Sequence, residues 1–256
     1  MRNKVETRLK KCKKGGKTAI FLLVDSENFS STSSVEKTAK ELFNATRNMN
    51  DFYPVILVGG SSATDQMGMD KAVRILRRKT KLDIVLFPGN ITGVVPKAHA
   101  ILFSCLMNSE NPYYITQAQA LGAPLVRKMK LEALPTAYLI IGEGTSAWFF
   151  GNARGIPFDK PKIAAAYAMA AQYMGMRFVY LEAGSGAKQN VTPEMVQTVR
   201  SVFDGFLMVG GGIRTGAQAK IAAQAGADWV VTGTLTEDAA DLAELRIRLS
   251  EVIGAL

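Results

Sequence analysis

The chain has 256 residues, 48% of them hydrophobic and 21% charged, with a mean hydropathy of +0.08, so it can bury a sizeable core. The longest apolar run near the N-terminus, Ala19 to Val24, falls far short of the roughly 20 residues that span a bilayer, and no apolar stretch of signal-peptide type follows the basic start. Two cysteines and a single histidine leave no material for a zinc cluster and allow at most one disulfide, which points to a reducing, cytoplasmic compartment.

Taken in order, residues 1–17 form a basic arm that holds eight of the 31 basic and one of the 22 acidic side chains. The rest of the chain, 18–256, balances 23 cations against 21 anions, so the net charge of +9 belongs mainly to the arm. Val5, Leu9 and Cys12 recur at i, i+4 and i+7, the spacing of a short amphipathic helix with a cationic outer face. Such a helix either packs on the body or is drawn to an anionic partner, a membrane surface contacted peripherally or a nucleic acid. A near-neutral body offers nothing to a nucleic acid.

After the arm, short apolar runs alternate with longer helical patterns in units of about 30 residues, as βα units require. The strand candidates are Ala19 to Val24, Val55 to Val58, Ile84 to Phe87, Ala100 to Cys105, Ala137 to Ile141, Phe178 to Leu181, Phe206 to Val209 and Trp229 to Thr232. Helical patterns cover Val35 to Arg47, Met69 to Lys79, Ile163 to Met174, Pro193 to Val202, Ala217 to Ala225 and Asp238 to Val252, with Thr192 placed to cap the fourth. Pro88 to Val95 reads as loop where a third barrel helix should begin. Eight strands and intervening helices in this length predict an α/β fold, a single (β/α)8 TIM-barrel domain modified around its third helix; an open doubly wound sheet is the alternative.

In such a barrel the chemistry gathers where strands end. Gly210-Gly211-Gly212 after the seventh strand and Gly233-Thr234 after the eighth would let backbone N–H groups approach a phosphate, with the following helices presenting positive ends. Asp25, at the end of the first strand, reads either as a helix cap or, with the Ser61 hydroxyl, as a modest Mg²⁺ site. Glu182 closes the sixth strand and is either a structural ion pair or a working carboxylate. Tyr180, two residues back on the same face, is either packing or a hydroxyl aimed at a ligand. Other patterns fail their context. Gly15-Gly16-Lys17-Thr18 lacks the first P-loop glycine and precedes a strand, Gly142 to Ala147 meets GxGxxA without a good helix after it, and His99 reads as packed or surface.

Tyr180-Leu181-Glu182-Ala183-Gly184-Ser185-Gly186, then Gly210-Gly211-Gly212-Ile213-Arg214 and Thr232-Gly233-Thr234, resemble the geranylgeranylglyceryl phosphate synthases of archaeal ether-lipid synthesis. Phe87-Pro88-Gly89-Asn90 and Met107-Asn108-Ser109 extend the likeness upstream. The resemblance implies transfer of a geranylgeranyl group from its diphosphate to sn-glycerol 1-phosphate, with Mg²⁺ on Asp25 and Ser61. It assigns glycerol phosphate to Tyr180, Leu181, Glu182, Ala183, Gly184, Ser185, Gly186, Gly211, Gly212, Gly233 and Thr234, catalysis to Glu182 assisted by Tyr180, and a homo-oligomeric state, dimer or hexamer. The chain departs from the family's usual pattern at Ser26, where proline is common, and at His99, where aspartate is common. Without the resemblance, the same glycines would serve a phosphosugar isomerase or synthase.

Overall fold

The structure, a computed structural model, describes residues 4–16, 19–25, 32–46, 53–60, 66–233 and 242–255. Eight strands close in sequence order into an all-parallel barrel: β1 (Ala19–Asp25), β2 (Tyr53–Gly60), β3 (Asp83–Pro88), β4 (Ala100–Leu106), β5 (Glu132–Ile140), β6 (Phe178–Glu182), β7 (Phe206–Gly210) and β8 (Trp229–Thr232). The β1–β8 pairing, Ala19 beside Trp229 through Leu22 beside Thr232, completes the ring and excludes the open sheet. Helices α2 (Thr32–Thr46), α3 (Gln66–Thr80), α4 (Ala118–Met129), α5 (Ser146–Phe150), α6 (Pro161–Tyr173), α7 (Pro193–Arg200), α8 (Gly216–Gln224) and α9 (Leu242–Ala255) accompany it.

Between β3 and β4 no α-helix forms, and a single 3₁₀ turn, Ile91–Gly93, takes its place. Proline and glycine around Asn90 account for this, as does the Asn90 side chain, which accepts from Ile91 N–H and holds the turn in place of a longer helix. The fifth strand starts five residues earlier than its apolar run, at Glu132. Helix α4 lies where no helix was expected, since Pro124 stands inside it. Pro124 is exposed on that helix.

Period-two alternation divides the strands between two cores. Ile20, Leu22, Ile56, Ile84, Leu181 and Val209 face the helices, whereas Phe21, Leu57, Val85, Leu134, Phe178, Met208 and Trp229 fill the barrel. At its N-terminal end the rings of Phe21, Phe178 and Phe206 gather around Trp229, with centroids 5.2, 5.5 and 4.6 Å from it.

The basic arm is a helix, α1 (Lys4–Lys14), and it seals that end. Val5, Leu9 and Cys12 join the interior core. Buried carboxylates fasten the helix: Glu132 accepts from the Val5 and Glu6 N–H groups at 2.7 and 2.9 Å, Asp83 binds Arg8, and Asp228 binds Lys13 at 3.0 Å. Glu6, 1% exposed, takes a two-pronged bond from Arg177. Docking by three barrel carboxylates makes the arm part of the barrel's packing.

Candidate active site

Strand β6 carries Phe178, Tyr180 and Glu182 on its inner face, so Glu182 emerges at the C-terminal mouth while Tyr180 lies fully buried beneath it. The Tyr180 hydroxyl donates a short hydrogen bond to Glu182 Oε2, and the Gly184 N–H donates to Oε1 at 2.5 Å. The carboxylate, 6% exposed, is thereby held in one orientation. Tyr180 packs against Tyr138 and Phe87, its centroid 5.2 and 5.6 Å from theirs. Burial, then the charge of Glu182, pushes both phenols far above their ordinary range, so both remain protonated donors. Tyr180 is thus at once a packed ring and a hydroxyl aimed at Glu182.

Around this carboxylate the loops after β6 and β7 interlock. Gly184 has φ +100°, and a Cβ there would lie 2.4 Å from Thr145 Cγ2; at Gly211, φ +89°, it would lie 2.6 Å from Glu182 Oε1. Only glycine meets both the backbone and the space. Asn190 Nδ2 donates to Gly211 O at 2.9 Å and Arg214 to Ala187 O at 3.2 Å. Gly186 and Gly212 also have left-handed backbone, φ +73° and +68°.

At the start of α8, expected to present a positive end to phosphate, a capping box engages part of the donor set: Thr215 Oγ1 accepts from Gln218 N–H, and Gln218 Oε1 accepts from the Arg214 and Thr215 N–H groups.

Among the remaining expected residues, Leu181 and Ala183 turn their side chains into the outer core, and the Ala183 N–H is engaged by Gly210 O at 3.1 Å. Gly233 follows β8 directly. Ser185 and Asp25 share one cavity wall with Glu182. Ser61 and Thr234 lie outside the described residues. Asp25 follows the alternation of Phe21 and Leu23 into the barrel mouth, and no group of three His, Cys, Asp or Glu suited to a metal exists among the described residues. A hard cation sharing one carboxylate, and otherwise ligated by substrate oxygens and water, fits this donor set; a protein-enclosed ion does not.

From the mouth an apolar groove of about 240 Å³ runs out through the side of the barrel. Its lining takes in Phe87, Pro88 and Asn90, Tyr114, and Val94, Ile101 and Val126, beside the segment where the 3₁₀ turn stands in for a helix. Ser146, Ala147 and Phe150 of α5 form its other wall. Buried Asn108 supports that wall: it donates to Ile140 O and Arg154 O, both at 2.9 Å, and accepts from Ile140 N–H. Sequence reading missed Tyr138 and Thr145. Tyr138 pairs in register with Tyr180, so the β5 alternation carried that signal, whereas the Thr145 contact with Gly184 is purely tertiary.

The PcrB family profile matches residues 33–250. The geranylgeranylglyceryl phosphate synthase of Nitrosopumilus maritimus is 60% identical over 95% of this chain and 94% of its own, and that of Cenarchaeum symbiosum is 56% identical over 98% of each. A crystal structure of the (S)-3-O-geranylgeranylglyceryl phosphate synthase of Thermoplasma acidophilum with substrate sn-glycerol-1-phosphate superposes with a TM-score of 0.88. That match covers 100% of this chain and 98% of the other at 36% identity.

Proposed function

Because the chain belongs to the PcrB family, we infer that it is a geranylgeranylglyceryl phosphate synthase, a prenyltransferase that joins sn-glycerol 1-phosphate to geranylgeranyl diphosphate. One observation carries the reading at the level of chemistry: the buried, doubly hydrogen-bonded carboxylate of Glu182 stands where a polar glycine-loop site meets an apolar groove. A phosphosugar isomerase has no use for that groove.

In the proposed reaction, the glycine loops of residues 184–186 and 211–212, with Gly233 and Thr234, hold the phosphate of glycerol phosphate, and the primary hydroxyl at the other end reaches Glu182. Glu182 accepts the hydroxyl proton as oxygen bonds to the allylic carbon, and the bond from that carbon to diphosphate breaks, releasing pyrophosphate. Tyr180 keeps the carboxylate oriented. Asp25, with Ser61, would hold Mg²⁺, which when bound supplies charge neutralisation for the departing diphosphate.

Two coarser readings accompany this. Self-association into a dimer or hexamer is supported by the apolar outer face of α6, where Ile163 and Met169 are exposed. A cytoplasmic location is supported by two buried cysteines that are not joined in a disulfide, Cys105 with its thiol pushed up to about 11 by burial. No described helix is long and apolar enough to cross a membrane.

The test is turnover with farnesyl, geranylgeranyl and longer prenyl diphosphates against both enantiomers of glycerol phosphate. Pyrophosphate release with geranylgeranyl diphosphate and the sn-1 isomer is expected. Isomerisation of a phosphosugar without any prenyl donor would overturn the reading.

A further inference from the structure

The end of the barrel opposite the candidate active site sorts its charges by depth. Its acids are buried under α1, with Glu6 and Glu132 1% and 6% exposed. Its cations stand outside. Lys4, Lys10, Lys11 and Lys14 are exposed along α1, Arg77 is exposed in the last turn of α3, and Lys81, Lys97 and Lys130 are exposed in the turns that lead into β3, β4 and β5. Asp204 is an exposed acid at the β7 edge, across the barrel, tied to Gln172.

Backbone strain marks the same turns. Of the four described non-glycine residues with left-handed backbone, three are Lys81, Lys97 and Lys130, at φ 57°, 73° and 56°. Glycine adopts this conformation with less strain. A cation complements the helix ends before Lys81 and Lys130, but Lys97 follows no α-helix. Lysine at all three sites gives this edge a charge that turn geometry alone does not require.

Two further features lie beside that edge. A cavity of about 460 Å³ opens between the start of α1 and the turns, lined by four cations, Lys4, Arg8, Arg77 and Lys130, and by two carboxylates, Asp83 and Glu132, which are already engaged by Arg8 and by the first N–H groups of α1. At the end of α6, Tyr173 and Met174 are 84% and 65% exposed, an amphipathic and an apolar side chain of the kind that settles at a headgroup layer. Two residues of the groove's lining also lie toward this end: Ile101 is the second residue of β4, and Val126 stands one turn before Lys130.

We propose that this N-terminal face docks the protein on an anionic lipid bilayer, with the edge of Lys81, Lys97 and Lys130 against the headgroup phosphates. The choice of a lipid surface over a nucleic acid rests on the activity inferred above, whose prenyl donor and product are both lipids. Electrostatic docking of this type grows with each basic residue near the surface and is screened by salt.

The test is co-sedimentation of the full chain with vesicles of phosphatidylcholine alone or mixed equally with phosphatidylglycerol, at about 50 mM and about 500 mM salt. Partition should be about tenfold or more stronger onto the anionic vesicles and should vanish at high salt. The triple change Lys81→Glu, Lys97→Glu, Lys130→Glu should remove that preference while turnover on detergent-dispersed substrate stays within about twofold of wild type. Lys11→Glu with Lys14→Glu, on the surface of α1, provides a second variant if the triple change unfolds. Equal binding to both vesicles, unchanged binding after charge reversal, or displacement by an oligonucleotide at matched charge would overturn the proposal. Because the binding assay needs no turnover, an inactive protein that still binds anionic vesicles would overturn the activity and leave the docking face intact.

Discussion

Replacing Glu182 with Gln isolates the proton acceptor from everything around it. The side chains are nearly the same shape, and the neighbours can adapt: the amide oxygen can accept from Gly184 N–H, and the amide nitrogen can donate to a Tyr180 hydroxyl turned to accept. What changes for the fold is that two charge-assisted hydrogen bonds become neutral ones, a loss of about 1–2 kcal/mol of stability. What changes for the chemistry is larger. General-base assistance is worth about 10²–10⁴-fold, or roughly 3–5 kcal/mol, so kcat should fall by two to four decades, at about 1.36 kcal/mol each. The KM for glycerol phosphate should move little, because the phosphate rests on the glycine loops. Tyr180→Phe keeps the packed ring and loses only the orienting hydroxyl, so its kcat should fall about tenfold. Single-turnover kinetics with saturating geranylgeranyl diphosphate would measure both. A Glu182→Gln protein that keeps more than about a tenth of wild-type kcat with chemistry limiting would refute the base role, leaving Glu182 as a ligand of the glycerol hydroxyls.

The metal assignment predicts that Asp25→Asn weakens Mg²⁺ activation and prenyl transfer while glycerol phosphate still binds; full activity in that variant, together with indifference of the wild type to EDTA, would remove Asp25 from the site. At Gly212, where φ is +68°, an added Cβ would lie 2.9 Å from Ala187 O, so Gly212→Val should push the two glycine loops apart and raise KM for glycerol phosphate strongly in a folded protein. A normal KM there would return the glycines to the role of plain turns. His99 is held below its usual range by burial first, then by Arg77, Arg8 and Lys4 against the opposing pull of Asp83, and its Nδ1 accepts from Ile84 N–H. The unfolded chain therefore binds the extra proton more readily, and the stability His99 contributes is present above about pH 6.5 and is lost as pH falls below it. Melting curves from pH 8 to about 5 should lose part of that acid slope in His99→Asn, and parallel curves would contradict the assignment. Leu9→Ala, at a fully buried position of α1, should cost about 2–5 kcal/mol, a Tm drop of roughly 2–4 °C per kcal/mol in a chain of this size; an unchanged Tm would mean that the arm does not seal the barrel.

How much of this was legible in the chain depends on the range of the interactions. The strand ends Asp25, Glu182 and Gly210 follow from local alternation, and so does the shared face of Tyr180 and Glu182. The apolar stripe of Val5, Leu9 and Cys12 marks α1 as a packing helix, yet its receptors are invisible locally, since Glu132 is 127 residues from Val5. Pro135 is why the start of β5 was hidden: a proline inside an apolar run looks like a boundary, and the strand's true start at Glu132 shows only once its pairing with β4 is known. Pro124 hid α4 because a proline forfeits one helical hydrogen bond, a cost that an otherwise helical segment can absorb at an exposed position. The glycine clusters were legible as tight loops after the strands, whereas the close approach of Gly184 to Thr145 and the capping box of Thr215 and Gln218 emerge only from the folded chain. Asn108 stood out as part of a motif, and its role in bracing the groove wall emerged only from the meeting of β5 with the 151–154 loop.

The seal at the barrel floor also sets an order of events during synthesis. Helix α1 is made before the strands it seals, yet Leu9 shares its core with Trp229, and Lys13 pairs with Asp228, residues made more than 200 positions later. At about 5–20 residues per second, roughly 10–45 s separate the appearance of the plug from that of its socket. Through that interval α1 is an amphipathic cationic stretch that can meet only part of its core, with Ala19 and Phe21 of β1 among the first partners made. Its full burial therefore waits on the last strand, and a ring missing β8 would leave its seat incomplete.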